Sequence, residues 1–544
     1  MTQPLPTPPG HLLRGAFVGA LVAFTGCAQP ESATLDVDPA LLRTHVAALA
    51  HDSMRGRDTD DIGYERARDY VAGQYARLGL SPLQGDSYLQ PFDLLEVVSD
   101  LGSSLIIGDD VIRFPEVMIT PDWVGMPAAG EATRAEGVFV GHQLVSGALD
   151  AATLDLSGKV AFVLAGAPDG RGDEPEVAMR ERAEVELARR AGAVAVVVLN
   201  PTTSEAAWSN RTNPRRPVRV LADGTAPSQR PDATVGPASS QRLLARWTEP
   251  TANTGNTGNT AGVAVTVGPV TLTPAHEIQT VTSWNVGGVL PGADPVLKDE
   301  VVVFTAHLDH VGIGPPNAAG DSIYNGAHDN ALGVAKVLAA AEAMVGLELK
   351  RSVLFLMVGA EESGLLGSWH YLKNPVFPIP KTAASINHDG GLMGDARDDV
   401  LAWGPEFSTV EGDVIWAATE TGLDYSRERK PPFTPSAGLL YRSDHYPFLT
   451  AGVPAIYLMP GFTVDGDPGA GQRAWQSYLG SIHHAQPDNF DPSASYGSPV
   501  ALTAMSIRLA VRLADADGMP TTHEDAPVAG TRQEPTGYFF RDPS

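Results

Sequence analysis

VVVFTAHLDHVGIGPPNAAGDSIYNGAHDNALG, running from Val301 to Gly333, is the stretch that decides the fold. It opens as a run of Val and Phe, the pattern of a strand buried on both faces. The run ends on His307, and Asp309 follows two residues later. A loop rich in Gly, Pro and Asn then leads to Asp329, which stands just before a small-residue helix start. A His and an Asp delivered at the mouth of a buried strand read as the first half of a metal site.

Working outward, the same grammar repeats. From Glu277 to about Ala514, apolar strand patterns (VVVFTAH, SVLFLMVGA, TAASINH, VPAIYLM) alternate with helical ones such as ALGVAKVLAAAEAMVG and GLLGSWHYLKN. That alternation predicts an α/β fold, a mostly parallel central sheet with helices on both faces. In such sheets the carboxyl ends of the strands carry the ligands. The residues that follow the strands are then informative. SVLFLMVGA runs into Glu361 and Glu362, TAASINH into Asp389, and SIHHAQPD later supplies His483, His484 and Asp488. Charged groups directly after apolar strands are costly unless paired or bound to a metal. Imidazole and carboxylate donors suit zinc. A pair of zinc ions about 3.5–4 Å apart needs a bridging carboxylate. Asp329 is placed to supply it, leaving one glutamate of the adjacent pair as a general base.

The bulk composition narrows the alternatives. The chain has 544 residues, enough for two or more domains. Its net charge of −26 argues against nucleic acid as a partner, because phosphate binding needs a basic surface. There is one cysteine, Cys27, so any zinc must be held by His, Asp and Glu. Cys27 follows GAFVGALVAFTG, an apolar core too short for the roughly 20 residues of a membrane span but suited to an export signal. FTGC resembles a bacterial lipoprotein processing site, with Phe24 where Leu is usual. Residues 1–27 are therefore expected to be a lipoprotein-type signal, with Cys27 lipidated, and 28–38 a tether. The expected location is the bacterial cell envelope, or secretion if the signal is of the ordinary cleaved kind. The membrane is reached only through that anchor.

Residues 39–129 begin with two amphipathic helices, DPALLRTHVAALAHDSM and GYERARDYVAGQYARLGL, and are read as an N-terminal part packing on the later domain. Residues 130–270 differ in character. DLSGKVAFVLAG and ARRAGAVAVVVLN resemble the protease-associated domain, a small β-rich α/β insert of secreted peptidases. TANTGNTGNTAG at 251–262 is a low-complexity tract. A polar tail is expected over 515–544.

The ordered set AHLDH, GAHDNALG, GAEESGLLGS, INHD, YRSDHYPFLTAGVPA and HHAQPD resembles the secreted co-catalytic di-zinc aminopeptidases. Their relatives include glutamate-carboxypeptidase-like enzymes and glutaminyl cyclases. HVAALAHDSMRGR, GYERARDYVAGQYARLGL and NVGGVLPG extend the likeness over most of the chain. The resemblance implies a zinc peptidase domain over 271–514 with two Zn2+ per chain. His307 and Asp389 would hold one ion, Glu362 and His484 the other, and Asp329 would bridge. Glu361 would be the general base, then the proton donor to the leaving amine. Asp309 would orient His307 as an outer carboxylate. Ser443, Asp444 and His445 would line or support the substrate pocket.

The chain departs from the pattern in three places. His328 replaces an acidic residue before the bridging Asp329, Leu332 replaces a small Ser, and His483 stands where an aromatic residue is common. Either His483 or His484 could then be the ligand, and Asp488 four residues beyond His484 favours His484. Peptides are the expected substrates, with N-terminal residues removed. A carboxypeptidase or dipeptidase, a glutaminyl cyclase, and a surface peptide-binding protein are the alternatives. Arg427, Arg429 and Arg442 lie where a carboxypeptidase would need a carboxylate-binding group.

Overall fold

The computed structural model describes residues 35–533, apart from 100–101, 120–130, 166–174, 205–207, 209–211, 213–216, 224–231, 249–261, 426–438, 525 and 527–531. The leader with Cys27, most of the tether, nearly all of the low-complexity tract, Arg427, Arg429 and the end of the tail lie outside the described residues. No helix among the described residues is long and apolar enough to cross a membrane.

Val301–His307 is a strand with all seven residues buried. It lies inside a 10-stranded sheet. Parallel neighbours flank it, Ser352–Val358 on one side and Thr382–Asn387 on the other, and Ala455–Pro460 continues the parallel set beyond Thr382–Asn387. The register pairs His307 with Val358 and Thr305 with Asn387, so the three strands end at one level. These are the β-branched and aromatic runs that a doubly covered strand needs. Phe304 and Phe355 stack across the central pair with centroids 5.4 Å apart.

The helix Leu332–Met344 is buried on almost every side, including Lys336. A helix apolar all round is an interior helix. It packs against Pro39–Leu49 on one flank and Gly497–Asp515 on the other. The first of these is capped by Asp38, whose carboxylate accepts from the Ala40 N–H at 2.8 Å.

A second sheet of 8 strands lies between two long strands of the first in the chain. Leu89–Ser99 and His276–Leu290 pair antiparallel along their lengths, and the second sheet is made from the chain between them. It starts earlier than the sequence reading places it. Ser104–Ile107, Asp110–Arg113 and Val117–Ile119 belong to it, because Val265–Thr273 pairs back onto Ser104–Ile107. One strand from this stretch, Val218–Leu221, leaves to edge the main sheet. Its Arg219 ties Asp58, Asp60 and buried Glu96 at 2.6–2.7 Å.

Within this second region Glu184 is buried and accepts the N–H groups of Val145 and Leu144 at 3.0 and 3.2 Å. Burial pushes its carboxyl up to about 7, against the pull of those two donors. A raised carboxyl binds its proton more tightly in the folded state than in the unfolded one. Stability should therefore fall as pH rises from about 4.5 to 7 and level off above. Glu184→Gln should flatten that slope by up to about 3 kcal/mol. Urea melts of both proteins between pH 4.5 and 8 check this, and parallel curves would contradict it.

Candidate metal centre

The aligned strand ends bring the charged residues together. His307 closes its strand and Asp309 and His310 follow, Glu361 and Glu362 follow Ser352–Val358, and Asp389 follows Thr382–Asn387. Asp329 comes from the turn that enters the buried helix. Gly326 starts that turn at φ +60, where a Cβ would meet the Asp329 carbonyl oxygen at 2.2 Å and the His310 ring at 2.6 Å. Asn330 then cross-links the strand ends. Its Nδ2 donates to the carbonyls of His307 and His388, and its Oδ1 accepts from the Gly333 and Gly390 N–H groups.

The two oxygens of Asp329 face different partners. Oδ1 lies 3.2 Å from His307 Nε2, which is also 3.1 Å from Asp389 Oδ1. Oδ2 lies 3.0 Å from His484 Nε2, which is also 3.0 Å from Glu362 Oε1. Two groups result, His307–Asp329–Asp389 and His310–Asp329–Glu362–His484. A tetrahedral ion with bonds of about 2.0–2.1 Å separates its donor atoms by about 3.3 Å, close to these spacings.

The protonation chemistry also fits a cation. His307 Nδ1 lies 3.1 Å from the Asp309 carbonyl oxygen, so its N–H is used there. Its Nε2 then faces two carboxylates and needs a proton or a metal between. Burial opposes charging the His307 ring, but Asp389 and Glu361 overcome it and hold the ring well above its usual range. His484 is raised in the same way, against burial, by Glu362 and Asp329. Asp329 is held well below the usual carboxylate range, against burial, by His307, His483 and His484. The residues fit a divalent cation in place of those protons.

The glutamate pair is split by its surroundings. Glu362 touches His310 Nδ1 at 2.9 Å and His484 at 3.0 Å. The Glu361 carboxylate accepts no hydrogen bond among the described residues and lines a cavity of about 460 Å³ with His307, Asp329 and Asp389. Burial raises the Glu361 carboxyl well above its usual range, and the carboxylates of Asp389, Glu362 and Asp444 raise it further.

Several residues sit differently from the sequence expectation. The Asp309 carboxylate was expected to hold the His307 ring. It instead accepts the Glu361 and Glu362 N–H groups at 3.1 and 3.2 Å, and its main-chain carbonyl meets the ring. The strand register explains this, because it sets Asp309 beside the turn that follows Val358. Ser443, Asp444 and His445 do not line the cavity. All three are buried behind it, with Ser443 Oγ accepting from Asn387 Nδ2 at 2.6 Å and Asp444 from the Ser368 hydroxyl at 2.7 Å. Tyr441 and Arg442 line it instead. Both candidate histidines reach Asp329 Oδ2, His483 at 3.4 Å and His484 at 3.0 Å, and His484 also reaches Glu362. His484 holds φ +52, a left-handed conformation uncommon for a non-glycine residue.

The sequence reading gave no role to His310 or Arg57, and it used Asp488 only to choose between the two histidines. His310 is the last residue of AHLDH and touches Glu362. Arg57 is fully buried and donates to the carbonyls of Leu49, Leu308, Asn325 and Gly326, clamping the loop before Asp329. Asp488 is fully buried and accepts from the His328 N–H at 2.8 Å and the Asp329 N–H at 3.2 Å, with His328 Nδ1 also at 2.8 Å. It staples the His484 loop to the Asp329 turn. Asp488→Asn removes one of its acceptor oxygens and should weaken zinc affinity about 10- to 100-fold. Competition with a chelator measures this, and an unchanged affinity would contradict it.

The sheet is mixed rather than mostly parallel, and beside the ends of its parallel central strands lie two imidazole–carboxylate groups that share one aspartate, an α/β fold with a candidate metal site. Residues 285–508 match the model of Peptidase family M28. The chain is 30% identical over 204 residues to Leupeptin-inactivating enzyme 1 of Streptomyces exfoliatus, covering 37% of this chain and 40% of that one. It is 24% identical over 172 residues to Aminopeptidase YwaD of Bacillus subtilis, covering 32% and 34%. The matched segment thus spans less than half the length of these relatives. The fold is shared with an aminopeptidase from Aneurinibacillus sp. strain AM-1, at a TM-score of 0.51 and 20% identity over 92% of this chain and 99% of that one.

Proposed function

We propose that this protein is a two-zinc exopeptidase that removes N-terminal residues from peptides. The observation that carries the reading is the division of Asp329 between two His–carboxylate groups, beside a glutamate with no side-chain partner among the described residues. His307 and Asp389 would hold one ion, His484 and Glu362 the other, and Asp329 both. When bound, zinc supplies Lewis acidity to the scissile carbonyl and lowers the pKa of the attacking water.

The chain's own residues do the rest. Glu361 accepts the proton of the attacking water and passes it to the leaving amine. Positive charge at the donor groups lowers the Glu361 carboxyl from the range to which burial and the neighbouring carboxylates raise it, so it works as a base near neutral pH. The Asp309 carboxylate fixes the main chain of both glutamates. The Tyr457 hydroxyl donates to the Asp389 carbonyl at 3.0 Å and steadies the turn carrying that ligand. Leu439, Tyr441, Trp475 and Leu479 give the cavity an apolar wall for a substrate side chain. Relatives named as aminopeptidases support the choice of the amino end.

The test is hydrolysis of leucyl-p-nitroanilide against its N-acetylated form by zinc-loaded protein. Cleavage of the free amine alone supports the reading. Cleavage only of N-blocked peptides with a free carboxylate would move the activity to the carboxyl end.

A further inference from the structure

We propose that Arg442 is an anion-binding residue of this cavity and seats a carboxylate of the substrate, a reading that rests on the peptidase activity proposed above. Arg442 lines the same cavity as His307, Asp329 and Glu361. The other charged residues lining it are Asp329, Glu361, Glu362 and Asp389, apart from the histidines. Among the described residues Arg442 is thus the one guanidinium or ammonium group on the wall. The acids Asp329, Glu362 and Asp389 face imidazoles in the donor groups, so they are not partners for it.

The guanidinium is exposed and has no hydrogen bond or ion pair among the described residues. That separates it from Arg57, Arg219 and Arg351, which are buried and fully engaged. The chain has 64 acidic residues against 38 Lys and Arg, yet among the described residues this guanidinium at the cavity has no acidic partner.

The residues that follow it are anchored. The next two residues, Ser443 and Asp444, are buried and anchored to Asn387 and Ser368. Asn387 lies two residues before Asp389, so the base of Arg442 is registered to a donor of the metal centre. A guanidinium fork matches a carboxylate in a paired, planar geometry. A cavity of about 460 Å³ is at the small end for ligand sites and suits a short substrate. The carboxylate then belongs either to the C-terminus of a di- or tripeptide or to an acidic side chain.

Two isosteric pairs distinguish these sources in the zinc-loaded full chain. Leu-Gly is compared with Leu-Gly amide, and glutamyl- with glutaminyl-p-nitroanilide, in wild type and Arg442→Met. The wild type should favour the acid of one pair by about tenfold or more in kcat/KM, and R442M should bring that ratio close to one. Loss in the first pair assigns the C-terminal carboxylate, and loss in the second assigns the side chain. Ratios that R442M leaves unchanged in both pairs overturn the proposal. Calorimetry with uncleavable reduced-bond ligands (Leu-Gly acid and amide, Glu-Gly amide and Gln-Gly amide) reads the same contact without turnover. If the wild type cleaves nothing but binds one acid ligand at least tenfold better and R442M does not, Arg442 stands and the peptidase reading falls. Equal acid and amide binding in both proteins overturns the Arg442 assignment.

Discussion

Glu361→Gln is expected to lower kcat by about 10²- to 10⁴-fold, the usual worth of a positioned general base. That corresponds to about 3–5 kcal/mol of barrier. The expectation rests on the contrast within the glutamate pair. Glu362 is held by His310 and His484, whereas the Glu361 carboxylate faces the cavity with no side-chain partner among the described residues. Gln keeps the size of Glu and removes the proton-accepting oxygen. Zinc content should stay at the wild-type level, and KM should move far less than kcat. Glu362→Gln should instead lower zinc content. Steady-state kinetics with metal analysis of both variants separates the two roles. An E361Q protein keeping more than a tenth of wild-type kcat would remove Glu361 from the mechanism.

Asp329→Ala should have the other large effect. One side chain is shared by both donor groups, with Oδ1 on His307 and Oδ2 on His484. Its removal takes an anionic donor from each group at once. Partners outside the coordination shell already cost 10- to 100-fold in affinity, so loss of a shared donor should weaken binding by at least about 100-fold. The variant should retain at most one zinc after gel filtration and lose measurable peptidase activity. Asp389→Ala affects one group and should leave the His484 group able to bind. If D329A and D389A carry the same zinc content, the shared role is wrong.

His307, Glu362 and Asp389 were legible because each closes or follows a buried strand. Val301–His307, Ser352–Val358 and Thr382–Asn387 read as apolar runs, and the first charged groups after them are the ones the register brings together. The supports were less legible because they depend on contacts between distant segments. Arg57 meets Leu308, Asn325 and Gly326, more than 250 residues away, through carbonyls that carry no sequence signal. Asp309 was recognised as important but with the wrong atom on the ring, since the choice between its carboxylate and its carbonyl depends on the neighbouring turn. Ser443 and Asp444 were expected to line or support the pocket; they lie buried behind it, while Arg442 beside them lines it. His483 and His484 are separated by contacts the sequence does not show: both reach Asp329 Oδ2, and His484 also reaches Glu362. The start of the second sheet was hidden for a similar reason, because Ser104–Ile107 pairs with a strand more than 150 residues later.

The most direct test of the account is stepwise return of zinc to chelator-stripped full chain, with bound metal and leucyl-p-nitroanilide hydrolysis followed together. The account predicts that activity keeps rising until two zinc ions are bound per chain, and that E361Q takes up the same two ions without recovering turnover. Activity that saturates at one ion, or two ions bound with no hydrolysis of any free-amine peptide, would contradict it.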